Sequence, residues 1–220
     1  MPKSIKIDFV SDVSCPWCVV GLRGLEIALE RTSDIVRADI RFQPFELNPT
    51  MAKEGENVGE HVARKYGSTV EQSLAARAMI RDRAAEVGFA INFTDDSRIY
   101  NTFDAHRLLH WAGVEGSGHQ QALKHCLFEL YFSEQRDPSD HEVLLEAVAD
   151  AGLDRAAADE ILSSDIYAEE IRQAEHFWQS RGIHSVPAIV INDRYLISGG
   201  QPSDAFEKAL RNIAAELAEA

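Results

Sequence analysis

Apolar and polar residues alternate along Ile5-Lys6-Ile7-Asp8-Phe9-Val10, the two-residue period of a half-buried strand. From Cys18 to about Arg31 the pattern changes, and Leu22, Leu25, Ile27 and Leu29 supply the apolar side of a helix. A second strand is expected near Ile40-Arg41-Phe42-Gln43, so strand, helix and strand are complete by Pro44. Beyond Gly182, Val186 to Ile191 reads as a strand, with Tyr195-Leu196-Ile197 as its hairpin partner across Asn192-Asp193. A last amphipathic helix starts near Ser203 and buries Phe206, Leu210, Ile213 and Leu217.

Residues 57–182 between these ends read as helix almost throughout. Stops are expected at Gly88, Gly113 and Gly152, with a capping-box start at Ser139-Asp140-His141-Glu142. The block is too long for a loop. It is therefore expected to be a helical insertion between two halves, 1–56 and 183–220, of one α/β domain. Its last helix, about Ile166 to Arg181, is expected to pack back on the sheet.

Composition narrows the setting. With 220 residues, 45% hydrophobic and 26% charged, the chain can bury a sizeable core. A formal net charge of -14 disfavours nucleic acid or an anionic membrane as the main partner, because both would repel it at long range. Met1-Pro2-Lys3-Ser4 runs directly into the first strand without an apolar signal core, and no later stretch approaches membrane-spanning length. A cytoplasmic protein is the expectation.

The candidate chemistry lies where the first strand gives way to the first helix, at Cys15-Pro16-Trp17-Cys18. Two thiols three positions apart at a helix start can close a disulfide with little movement, and the helix N-terminus favours the thiolate of the first. Cys15 is then the attacking sulfur and Cys18 the resolving one. A closed zinc site needs four ligands, and the only other cysteine is the distant Cys126. A structural staple would close too small a loop to gain much. Pro16 suits the first helical turn, and Trp17, between the thiols, is a candidate substrate contact.

Other segments extend the pattern: Ser14 before the motif, Phe45-Glu46-Leu47-Asn48-Pro49, Asn101-Thr102 leading to Ala105-His106-Arg107, Val186-Pro187, and Ser198-Gly199-Gly200-Gln201. In this order they resemble the DsbA family of thioredoxin-fold oxidoreductases, FrnE-like subgroup, related to 2-hydroxychromene-2-carboxylate isomerases and kappa-class glutathione transferases. The resemblance implies a thioredoxin-like fold with a large all-helical insertion and a thiol–disulfide oxidoreductase or isomerase. It further implies a cis Pro187 facing the cysteines, with the Val186 backbone free to pair with substrate. Disulfide-containing proteins or small thiols would be the partners, with a homodimer as a candidate assembly. No cofactor beyond the dithiol is expected, with glutathione a candidate co-substrate. A glutathione-dependent transferase or isomerase is the alternative, although serine typically replaces the first cysteine there. A noncatalytic interaction protein is a further one.

Secondary candidates are weighed on their own residues. Cys126, among Leu123, Leu127 and Leu130 in the helical run His119 to Phe132, reads as a small buried hydrophobe. His106 and His110 have the spacing of a metal pair but no third ligand, so no metal site is expected. Asn101 reads as a helix N-cap beside Thr102, with a cleft contact as its other role. Asp8, Asp12 and Glu46 are candidate proton carriers if burial raises a carboxyl pKa. The Ser198–Gln201 turn could offer backbone donors to a glutathione carboxylate, or be an ordinary glycine-rich turn.

Overall fold

In a computed structural model, which describes residues 2–219, the chain forms a four-stranded mixed sheet flanked by helices. Strand β1 (Lys3–Ser11) runs parallel to β2 (Val36–Pro44), with α1 (Pro16–Arg31) as the crossover. Strand β5 (Ala188–Ile191) pairs antiparallel with β1, and β6 (Tyr195–Ser198) pairs with β5, giving the order β2-β1-β5-β6. The hairpin turn uses Asn192 and Asp193 at φ of 52° and 57°, the left-handed pair that a two-residue turn requires. The Asn192 side chain fixes it by accepting from the Lys6 amide at 2.9 Å.

β1 is central and buried on both faces, so its apolar residues occupy consecutive as well as alternate positions. Ile5, Ile7 and Phe9 share a core with Leu22 and Leu25 of α1 and with Phe206 and Leu210 of α9 (Ser203–Glu219). Val10 packs instead with Ala188, Phe45 and Trp178 of α8 (Ala168–Ser180), which puts α8 against the sheet.

Between β2 and β5 lie α2 (Val58–Tyr66), α3 (Val70–Glu86), α4 (Phe103–Glu115), α5 (Ser117–Phe128), α6 (His141–Asp150), α7 (Arg155–Leu162) and α8. Two short strands, β3 (Glu56–Asn57) and β4 (Arg98–Ile99), pair within this region. Leu108 of α4, Leu123 and Leu127 of α5 and Leu144 of α6 join the same core as β1 and α1. Gln120 ties α5 to the sheet by accepting from the Phe42 amide at 2.9 Å and donating to the carbonyls of Phe42 and Leu109. It thereby covers the outer edge of β2 at that point.

Several boundaries depart from the sequence expectation, each for a local reason. Gly113 lies inside α4, and the helix ends at Gly116 instead. A Cβ at Gly113 would sit 2.9 Å from Gln120 Nε2, so this glycine makes room for α5 and is not a stop. Asp140, not Ser139, caps α6 by accepting from the Val143 amide; Ser139 is taken up by Asp137. The helical run to Phe132 passes at Glu129–Ser133 into a wider π turn. Strand β5 starts only at Ala188, after Val186-Pro187.

Candidate active site

Cys15 occupies the N-cap of α1 in an extended conformation, with Pro16 at the first helical position, where its missing N–H leaves no unmet donor. The Cys18 amide donates to the Cys15 carbonyl at 3.0 Å, closing the first turn around the motif. Both thiols are free; Cys15 is 4% exposed and Cys18 fully buried. Val186-Pro187 is a cis peptide, and Cys15 Sγ lies 3.6 Å from the Val186 carbonyl oxygen, within reach of a weak S–H donor bond. The motif and the Val-Pro pair, 171 residues apart, therefore meet at one point.

Burial, reinforced by the hydrogen bond and charge of Cys15, pushes the Cys18 thiol well above its ordinary range. Cys18 therefore holds its proton until something removes it.

Around this dithiol the three candidate carboxylates separate by their partners. Burial alone would raise the Asp12 carboxyl, but proximity to His106 and the amides of Leu47 and Ser14 bring it below the ordinary carboxylate range. His106 Nε2 is 3.6 Å from Asp12 Oδ1, beyond hydrogen-bond distance, while Thr102 donates its hydroxyl to the same oxygen at 2.9 Å. Asp12 is thus an anionic tether for the loop before the motif. Asp12 therefore does not meet the condition, a raised carboxyl pKa, on which it was a candidate proton carrier. Asp8 is engaged by Gln43 at 2.6 Å and Lys6 at 2.9 Å. Glu46 is the carboxyl that burial and the charge of Glu175 do raise, and it is held by Arg172.

A buried cation was not among the sequence candidates. Lys124 of α5 is fully buried, with its ammonium 4.6 Å from the Phe128 ring centroid and 5.9 Å from that of Phe42. Burial lowers its pKa from 10.5 to about 8, against the opposing influence of Cys18, Asp12 and Cys15. Nζ makes no hydrogen bond among the described residues; Ser11 Oγ and His106 Nε2, which line the same small cavity, are likewise unpaired. A sequence signal existed: Gln120, Leu123, Lys124, Leu127 and Phe128 follow the i, i+3, i+4, i+7, i+8 spacing of a buried helix face. Lys124 stands in a core position.

The remaining candidates disperse. His106 faces Asp12, whereas His110 packs at a tilt against Tyr167 with ring centroids 5.0 Å apart, so the two rings serve different neighbours. Cys126 is half-buried, not fully buried as expected, because it falls on the flank of the α5 stripe. Thr102 occupies the N-cap position of α4, and Asn101 contributes from one residue earlier by accepting from the Phe103 amide at 2.9 Å. In the Ser198–Gln201 turn, the Gly199 amide donates to the Pro187 carbonyl at 2.8 Å and the Gln201 amide to the Gly199 carbonyl at 2.9 Å. Two donors considered for an anion are thus already engaged.

This turn instead fixes α1. A Cβ at Gly200 would stand 2.8 Å from the Trp17 carbonyl oxygen, and one at Gly21 would stand 3.0 Å from Pro187 Cγ. The turn and Pro187 therefore press directly against the helix that carries the thiols. Gly200→Ala is expected to destabilise the protein by roughly 1–3 kcal/mol, since backbone rather than a flexible side chain must yield. Chemical denaturation of the variant checks this; an unchanged midpoint would contradict the close packing.

Comparison with known proteins agrees with this architecture. The model of the DSBA-like thioredoxin domain matches residues 6–211. The chain is 28% identical over 208 residues to YwbO of Bacillus subtilis, covering 94% of this chain and 96% of that protein. A probable DsbA oxidoreductase from Streptomyces coelicolor superimposes with a TM-score of 0.88 at 33% identity, covering 94% of this chain and 89% of that one. A 2-hydroxychromene-2-carboxylate isomerase shares the fold, with a TM-score of 0.71 at 18% identity over 97% of this chain and 98% of that one. The chain belongs to the family of DSBA-like thioredoxin domains.

Proposed function

We propose that the protein is a thiol–disulfide oxidoreductase in which Cys15 attacks and Cys18 resolves. The observation that carries this reading is the placement of Cys15 at the N-cap of α1, one turn from Cys18 and beside the Val186 carbonyl. The Cys15 thiolate attacks one sulfur of a substrate disulfide, forming a mixed disulfide and releasing the other half as a thiolate. Cys18, once deprotonated, attacks Cys15 Sγ, releasing the second half and leaving a Cys15–Cys18 bond. Substrate gains two electrons and two protons, and the dithiol loses both.

The proton on Cys18 needs an acceptor, because burial holds that thiol protonated. Lys124, whose charge interacts with both sulfurs and whose pKa of about 8 leaves a neutral fraction near physiological pH, is our candidate.

Redox titration with thiol counting, followed by mass mapping, tests the assignment. The expected product of oxidation is a reversible Cys15–Cys18 disulfide with Cys126 unmodified. A dominant bridge through Cys126 would overturn it. Glutathione conjugation that survives Cys15→Ser, in a protein without disulfide exchange, would favour the isomerase or transferase reading instead.

A further inference from the structure

Cys15 opens onto a cavity of about 720 Å³, within the range that small ligands occupy. Trp17, Phe45, Leu47, Val62, Ile80 and Phe93 supply apolar wall, so α2 and α3 roof the sulfur rather than leaving it on an open surface. With only 4% of Cys15 exposed, the sulfur is poorly placed to meet a disulfide on the convex surface of a folded protein.

The charged side chains of the lining are unequal. Glu46 is held by Arg172, and Lys65 donates to the Leu47 carbonyl and to Asn48 Oδ1, both at 2.9 Å. Arg77 of α3 is different: among the described residues its ion pair is with Asp95 at 4.0 Å, a side chain 97% exposed, and its buried Nε has no hydrogen-bond partner. Gly59 makes room for the guanidinium, since a Cβ there would sit 2.9 Å from Arg77 Nη2. An uncommitted guanidinium in a largely apolar pocket is a fork for a carboxylate.

Resting on the reading of Cys15 as the attacking thiol, we propose that this pocket selects low-molecular-weight disulfides with an apolar body and a carboxylate, which Arg77 anchors while a substrate sulfur meets Cys15. The exchange is the one already written: Cys15 bonds to one sulfur, the other half leaves as a thiolate, and Cys18 completes the two-electron reduction.

The test uses Cys126→Ala protein, so that only the motif thiols report, and two aromatic disulfides. One is 5,5′-dithiobis(2-nitrobenzoate), which carries two carboxylates; the other is neutral 2,2′-dithiodipyridine. Their rate ratio, each normalised to reaction with free cysteine, is expected to fall about tenfold or more in Arg77→Gln. Arg77→Lys should retain part of the preference. Gly59→Ala, which displaces the guanidinium without removing its charge, should fall between. Insulin disulfides should react more slowly than the carboxylated reagent under the same normalisation.

A ratio unaffected by Arg77→Gln, or insulin reduced preferentially, would overturn the pocket assignment while leaving the redox role of Cys15 standing. Absence of exchange with every disulfide would instead overturn the redox reading itself.

Discussion

Cys15→Ser protein is expected to lose disulfide exchange by roughly 10³-fold or more, the scale on which removing a covalent nucleophile acts. Cys18→Ala should behave oppositely at the first step. It keeps the sulfur at the helix N-cap and loses only the thiol that releases the adduct, so a mixed disulfide through Cys15 should accumulate toward one equivalent. Intact-mass measurement after mixing with a small disulfide reads both variants. Adducts trapped by Cys15→Ala instead would reverse the two roles.

Lys124→Met should make the protein more stable while making it a poorer catalyst. The folded state holds Lys124 at a pKa of about 8, against 10.5 for a free side chain. Between those values the unfolded chain binds the proton and the folded chain does not, so wild-type stability rises with pH across this window. At about 1.4 kcal/mol per pH unit, the rise from this residue totals about 3 kcal/mol. Below pH 8 that amount is the penalty for keeping the charge buried, and Met removes it.

Denaturant titrations should therefore show the variant more stable by about 3 kcal/mol at pH 7, with the advantage shrinking toward pH 10.5. The Cys18 release step should slow in the same variant and lose the part of its pH dependence centred near 8. Equal stability at pH 7 would mean that Lys124 carries no buried charge; unchanged release kinetics would remove it from the mechanism.

These outcomes separate what the sequence makes legible from what it does not. The strand-to-helix change of period at Phe9 to Cys18 locates the dithiol, because local pattern decides both the elements and the N-cap. The meeting of Cys15 with Val186 follows only from the family resemblance, since no local signal links residues 171 positions apart. Asp12 and Glu46 look alike as isolated carboxyls. Burial raises both carboxyls, but His106 and backbone amides outweigh it at Asp12, whereas the charge of Glu175 adds to it at Glu46 against the opposing charges of His106 and Arg172. Arg77 lies on α3, in which only Ser73 and Ala84 are buried and which so gives little sign of which face turns inward.

The side-chain amide of Gln120 has a consequence for solubility. Unpaired edge strands recruit other chains, and β2 would be such an edge at Phe42 if its N–H and C=O were free. By engaging both groups, Gln120 closes the β2 margin at Phe42, while β6 forms the opposite margin of the sheet. β6 is only four residues long and carries an exposed Leu196. An added strand is therefore expected along β6, at the margin opposite α5, rather than over Phe42.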